Sequence, residues 1–396
     1  MLNPRVSDLP DYPFDRLRAL LDGVAPPPGM TPLVLSVGEP RHSPPPMIAA
    51  AVAKDSSLWG RYPPGDGTPE FRAAVADWLI RRYGLEPGAV DPERHVLPVA
   101  GTREALYLIS ALVVPQTKAG DAPVVAMPNP FYHVYGGAAA VSGAEPVYLP
   151  ATSATGFLPD ISTLDDMTLE RTALFYFCSP ANPQGAVAGI DALKAAIRLA
   201  RQHDFVLVAD ECYAEIYDRE PPPGALQACA ALGDGFANVL VFHSLSKRSS
   251  APGLRSGFVA GDETLIKPFR RLRNYVGPQV PMPAIAASTA LWRDETHVEA
   301  NRALYRRKFE IAEDILGGRF GFYRPAGGFF LWLDVGDGEA AAKRLWSEAA
   351  IRTLPGAYIG RPDESGLNPG KRYLRLALVD HPKTTAEALE RLVKVL

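Results

Sequence analysis

Phe205–Glu211 reads FVLVADE: five apolar residues followed directly by two carboxylates. Val239–Lys247, VLVFHSLSK, repeats the plan, ending its apolar run on serines and an amine. Apolar runs this short, bounded by turn residues, suit strands buried on both faces. Working outward, HVLPVA (95–100), APVVAMP (122–128), TALFYFCSP (172–180) and SGFVAG (256–261) have the same character. Between them lie GTREALYLISALV (101–113) and IDALKAAIRLARQHD (190–204), with apolar residues at helical spacing. Alternation of this kind predicts an α/β fold with a mostly parallel sheet covered by helices on both faces.

That large domain is expected over 40–283. TPEFRAAVADWLIRRYG (68–84) opens it as a helix, with Thr68 as cap, Pro69 in the first turn and Gly84 as stop. Residues 284–396 mix long helical runs, such as Thr289–Leu316, with the strands GGFFLWLDV (327–335) and RYLRLALVD (372–380). They read as a smaller α+β domain, joined by 1–39, where FDRLRALLDG (14–23) is a short amphipathic helix and PLVLSVGEP (32–40) a strand entering a turn.

A chain of 396 residues is long enough for more than one core. Its net charge of −3 provides no field that would draw it to nucleic acid or an anionic membrane. The basic runs FRRLRN (269–274) and YRRK (305–308) read as solvated helix faces. Cys178, Cys212 and Cys229 have neither metal-ligand nor disulfide spacing and read as buried thiols in a reducing compartment, with no metal expected. With no secretory signal and no membrane-spanning run, the expected location is the cytoplasm.

In such a sheet, ligands bind beyond the carboxyl ends of the strands. The residues there are Gly101, Thr102 and Arg103; Pro128 to Tyr132; Asn182; Asp210 and Tyr213; and Ser244, Ser246 and Lys247. An amine in apolar surroundings loses proton affinity and becomes nucleophilic. Asp210 and Lys247 therefore form either a structural ion pair or two sides of a cofactor site. Pyridoxal phosphate needs a lysine for its aldehyde, a carboxylate for its ring nitrogen and an anion site for its phosphate. The start of the 102–113 helix suits the phosphate, with Ser244, Ser246 and Arg255 closing around it. Tyr132 can stack on the ring, and Asn182 and Tyr213 can donate to its phenolate oxygen.

SPANPQG (179–185), DECY (210–213), SLSK (244–247) and the arginine eight residues beyond Lys247 resemble the fold-type I, class I/II aminotransferases, and the likeness runs from YPPGDGTPEFR (62–72) to RYLRLAL (372–378). The resemblance implies that Lys247 holds the cofactor and shuttles the substrate's α-proton. It implies that Arg375, helped by Asn182 and the backbone of Gly38, holds the α-carboxylate. It also implies a homodimer in which Tyr62 reaches the phosphate of the neighbouring subunit. Gln184 stands where the family usually has threonine.

SLSKRSSAPGLRSGFVAGD (244–262) and FCSPANPQGAV (177–187) are most similar to the N-succinyl-diaminopimelate aminotransferases of the lysine and cell-wall precursor route. That resemblance implies N-succinyl-LL-2,6-diaminopimelate and 2-oxoglutarate as substrates. The alternatives are an aspartate or broad-range aminotransferase, and a lyase on the same fold that releases ammonia. For an acidic substrate side chain, Arg103 is the candidate reader, with Arg270, Arg271 and Arg273 weaker and read as solvated.

Overall fold

A computed structural model describes residues 3–7, 9 and 11–396. The expected 1–39 segment therefore includes four positions, 1, 2, 8 and 10, outside the described residues. The run at 205–211 forms the strand Val206–Asp210, buried throughout. Its side chains alternate across the sheet, as period-two geometry requires. Leu207 and Ala209 join one core with Phe175, Phe177, Trp78 and Trp292. Val206 and Val208 join the other with Tyr176, Phe242 and Tyr135. Two apolar faces explain why the sequence shows continuous apolar runs here.

The large sheet has seven strands, in the order Val96–Val99, Gly257–Gly261, Val239–Ser244, Val206–Asp210, Thr172–Cys178, Val124–Asn129 and Glu145–Pro150. The last five are parallel, and Gly257–Gly261 runs antiparallel to both its neighbours. The fold is thus α/β with a mostly parallel sheet between helices. On one face lies Pro69–Tyr83, where Thr68 accepts the Phe71 N–H at 3.2 Å and Gly84 ends the helix at φ +60°. A left-handed φ at that stop favours glycine.

A smaller antiparallel sheet sets Tyr373–Ala377 between Leu354–Pro355 and Phe330–Asp334. The early segment Leu33–Val34 pairs with Ile351–Arg352, bringing the N-terminal region against the C-terminal one. Among the described residues, no helix is long and apolar enough to cross a membrane.

Three sequence expectations need correction. The run Thr289–Leu316 is broken: one helix, Met282–Arg293, ends within it, and a second, Thr296–Leu316, follows. Asp294 caps the second, accepting the His297 N–H at 3.0 Å. Arg273 is not solvated but 1% exposed, donating to Glu104 at 2.8 Å and to the Pro98 carbonyl at 2.6 Å. Nor is YRRK a solvated face, since Tyr305 and Lys308 are buried.

Lys308 donates to the Leu378 carbonyl and to His42 Nε2, both at 2.7 Å. Burial, then the Lys308 charge, pushes His42 down to about 4, so its ring is neutral. With Nε2 accepting, the proton sits on Nδ1 and is donated to Asn301 Oδ1 at 2.7 Å. Asn301 Nδ2 in turn donates to the backbone carbonyls of Lys247 and Arg248 at 3.1 and 3.3 Å. The backbone of the candidate lysine is thus held from behind by the long helix.

Loss of an N-cap costs about 1 kcal/mol. Thr68→Ala is expected to lower the melting temperature by about one to three degrees, measured by thermal unfolding followed by circular dichroism.

Candidate active site

The carboxyl ends of the parallel strands open on a cleft of about 570 Å³. It is lined by Gly38, Thr102, Arg103, Tyr132, Asn182, Asp210, Tyr213, Ser244, Ser246, Lys247, Arg255 and Arg375. Gly101 lies next to this set, as the cap of the helix Thr102–Val113. Tyr62 does not line the cleft of its own chain and is fully exposed.

Asp210 and Lys247 form no ion pair among the described residues. The carboxylate instead accepts Tyr135 O–H at 2.6 Å and the Cys212 N–H at 3.3 Å. Tyr135 stacks on Tyr176 at 4.4 Å between centroids, which fixes the direction of its hydroxyl. Sequence reasoning missed Tyr135. In FYHVYGG it has the spacing of an ordinary core aromatic, and only the fold brings it to Asp210.

Lys247 Nζ donates to the Gly38 carbonyl and lies 5.1 Å from the centroid of the Phe329 ring. Burial pushes this amine down to about 8, with the charges of Arg375 and Arg103 acting in the same direction. At pH 7 that leaves roughly a tenth of the amine as the free base, far more than in an ordinary lysine, and the free base is the nucleophilic form.

Gly101, at φ +80°, provides no side-chain cap for the helix it starts, so the first-turn N–H groups and the positive end of the helix face an anion site. Arg255 packs against it. The left-handed φ favours glycine, and a Cβ at position 101 would lie 2.1 Å from Arg255 Nη2, so a side chain there would push the guanidinium out of the cradle. The guanidinium donates to the carbonyls of Pro252 at 2.9 Å and Ala100 at 3.2 Å, leaving further donors for an anion. Ser244 Oγ bonds Ser246 Oγ at 2.9 Å on the same side. Thr102 Oγ1 lies 3.1 Å from the Cys212 thiol, which burial pushes well above its usual range.

Arg375 is 6% exposed. It donates to the Ser36 carbonyl at 2.8 Å and to Asn182 Oδ1 at 3.3 Å, and lies 4.5 Å over the Phe330 ring. No carboxylate pairs with it among the described residues, and its Nε and the nearby Ser36 Oγ are buried without partners. Burial pushes it down to about 10. A buried guanidinium without an anion is costly, and a substrate carboxylate is the group its fork matches.

Arg103 donates through Nε to the Tyr132 hydroxyl at 2.9 Å. Gln184 is buried and donates to the Ala151 carbonyl at 3.1 Å, so its departure from the family pattern supports a loop. Tyr12 and His133, also in the lining, went unnoticed in the sequence. Burial, then Arg103 and Arg375, pushes His133 down to about 4, so it is neutral.

A nucleophilic amine sharing a cleft with a buried carboxylate and a guanidinium free to take another characterises enzymes that act on α-amino acids through a bound aldehyde. The anion cradle at Gly101 and Arg255 fits the phosphate of pyridoxal 5'-phosphate. The wider comparisons agree. Residues 31–396 match the family described as aminotransferase class I and II, and the chain belongs to it. It is 33% identical over 389 residues to a 4-dedimethylamino-4-oxo-anhydrotetracycline transaminase of Streptomyces rimosus, covering 97% of this chain and 99% of that one. It is 31% identical to the LL-diaminopimelate aminotransferase of Desulforudis audaxviator, covering 98% and 96%. Its fold is similar to the crystal structure of an aminotransferase from Neisseria meningitidis, with TM-score 0.94, 42% identity and 99% of each chain covered. The protein is a pyridoxal-phosphate-dependent aminotransferase.

Cofactor-free protein is expected to take up pyridoxal phosphate at a rate that rises with pH through about 8 and then levels, followed by absorbance. Lys247→Ala should lack the yellow colour of the wild type after the same treatment and gel filtration.

Proposed function

We propose that the enzyme moves the amino group of N-succinyl-LL-2,6-diaminopimelate to 2-oxoglutarate, in the synthesis of lysine and cell-wall precursors. The observation that carries the reading is the buried, unpaired Arg375 in the same cleft as Lys247, with Arg103 as a further cation. Arg375 favours a donor that brings its own α-carboxylate, and Arg103 adds positive charge to the same cleft. Diaminopimelate is the substrate named for several relatives, and the 244–262 run resembles the succinyl-specific enzymes. A likeness to AspB of Helicobacter pylori (TM-score 0.89, 36% identity) supports the aspartate reading as the alternative.

Pyridoxal phosphate supplies an electron-withdrawing ring that lets a substrate carbon give up its proton. In this reading Arg375 and Asn182 hold the α-carboxylate, which turns the α-carbon towards Lys247. The Lys247 amine would then take the α-proton and deliver it to the carbon on the far side of the transferred nitrogen. It can do so because burial and neighbouring cations leave it a weak enough base to release the proton again. Asp210, held by Tyr135 and the Cys212 N–H, would hold the ring nitrogen. Tyr132 would cover the ring, and Tyr213 and Asn182 would donate to its oxygen. Ser244, Ser246, Arg255, Gly101, Thr102 and Arg103 would hold the phosphate.

In the proposed division, 40–283 holds the cofactor, and 1–39 with 284–396 covers the substrate. The proposed assembly is a homodimer in the cytoplasm, with the exposed Tyr62 completing the partner's phosphate site.

A panel of amino donors with 2-oxoglutarate tests the substrate. N-succinyl-LL-diaminopimelate should give the highest kcat/KM, above aspartate and above aromatic and aliphatic amino acids. A preference for aspartate rejects the succinyl reading, and release of ammonia in place of glutamate identifies a lyase. Arg375→Ala should lower kcat/KM by about a hundredfold or more for every donor and acceptor, mainly through KM. A defect confined to one substrate contradicts the α-carboxylate role.

A further inference from the structure

We propose that Arg361 receives the distal carboxylate of the donor in a side cavity of the cleft. The proposal rests on the long donor named above, which has three carboxylates, and assigns the one at its succinyl end. The side cavity, about 260 Å³, adjoins the main cleft: Tyr12, Pro13, Phe131, His133 and Ile359 line both. Arg361 lines the side cavity alone.

Arg361 is held ready. Its backbone N–H donates to Asn129 Oδ1 at 2.9 Å, and its carbonyl accepts from Asn129 Nδ2 at 2.9 Å. Asn129 is 4% exposed and ends a strand of the large sheet, so both halves of a buried amide are spent on positioning one residue. The Phe131 N–H adds a bond to the Ile359 carbonyl at 2.9 Å, tying the same two segments together. The guanidinium lies 5.4 Å from the Phe131 ring centroid. It donates to its neighbour's carbonyl, Gly360, at 3.2 Å and lies beside the Tyr148 hydroxyl, a neutral partner that leaves its charge unmatched. No carboxylate pairs with it among the described residues.

The other cations have partners or tasks. Arg375 serves the α-carboxylate, and Arg103 is bonded to Tyr132. His133 is neutral and can meet an amide as donor or acceptor, but it brings no charge. Asp11 is the one acidic residue of the side-cavity lining and is exposed, so solvent screens it more than the half-buried Arg361. The aromatic and aliphatic walls suit the methylenes of a long donor. Such a donor would run from Arg375 past Lys247 to Arg361, whereas 2-oxoglutarate, which is much shorter, would stay in the main cleft.

The test compares N-succinyl-LL-diaminopimelate with glutamate as donors for the wild type, Arg361→Met and Arg361→Lys holoenzymes. In Arg361→Met, the ratio of kcat/KM for the long donor to that for glutamate should fall about ten- to a hundredfold. The loss should lie in KM, with Arg361→Lys recovering part of it. An unchanged ratio in a methionine variant with wild-type absorbance and melting temperature overturns the proposal. If that variant melts early, Arg361→Gln carries the same comparison. A wild type that does not turn over the succinylated donor overturns the donor reading, and this assignment with it. A wild type that does, beside an unaffected variant, overturns the Arg361 assignment alone.

Discussion

A guanidinium sits almost out of water at Arg375 with no acid beside it, and much of the molecule is arranged to support it. Removing a charge from water without a partner costs several kcal/mol. Here the Ser36 carbonyl, the Asn182 amide and the face of Phe330 offset part of that cost. The remainder is left for a ligand. Those three groups come from distant parts of the chain, so the site exists only once both sheets are assembled. Arg375 also acts on its neighbours, since its charge helps to lower the proton affinity of Lys247 and His133. One cation without an acid beside it thus adds to what burial has already done to the basicity of Lys247.

The two polar ends of the parallel strands show how local signals become a site. Val206–Asp210 and Val239–Ser244 are neighbours in register, with Asp210 opposite Phe242. The chain leaving each strand therefore emerges on the same rim. Asp210 and Lys247 arrive there from different strands without touching, and the space between them belongs to the cleft. Tyr135 and the Cys212 N–H occupy the acid from behind, which keeps it from collapsing onto the lysine.

Much of this was legible in the sequence because strand ends carry their chemistry with them. Runs such as FVLVADE and VLVFHSLSK showed both the sheet and the rim residues, and the helix at Thr68 announced its own cap and stop. The residues that escaped notice depend on partners far away in the chain. Lys308 lies in a basic run whose apparent destination was water, yet its acceptors are 266 and 70 residues away, at His42 and Leu378. Arg273 is buried for the same reason, with Glu104 169 residues away. Tyr135 and Arg361 gave no local signal, because an aromatic in a helix and an arginine in a loop have many uses. No pattern of period two or 3.6 encodes a contact between loops.

Asn301 carries a consequence for ancestry and engineering. Its amide serves the carbonyls of Lys247 and Arg248 on one side, while its oxygen accepts from His42 and from Ser250 at 3.0 Å on the other. An aspartate there would turn a negative oxygen towards two carbonyls, and a leucine would leave all four groups bare. The post that steadies Lys247 thus stands in the C-terminal part of the chain, outside the sheet that carries the lysine itself. A chimera that grafted this C-terminal part from a distant cousin would exchange more than the smaller sheet and its helices, because the seat of Lys247 would travel with it. The two regions are therefore expected to have diverged as a matched pair rather than as interchangeable modules.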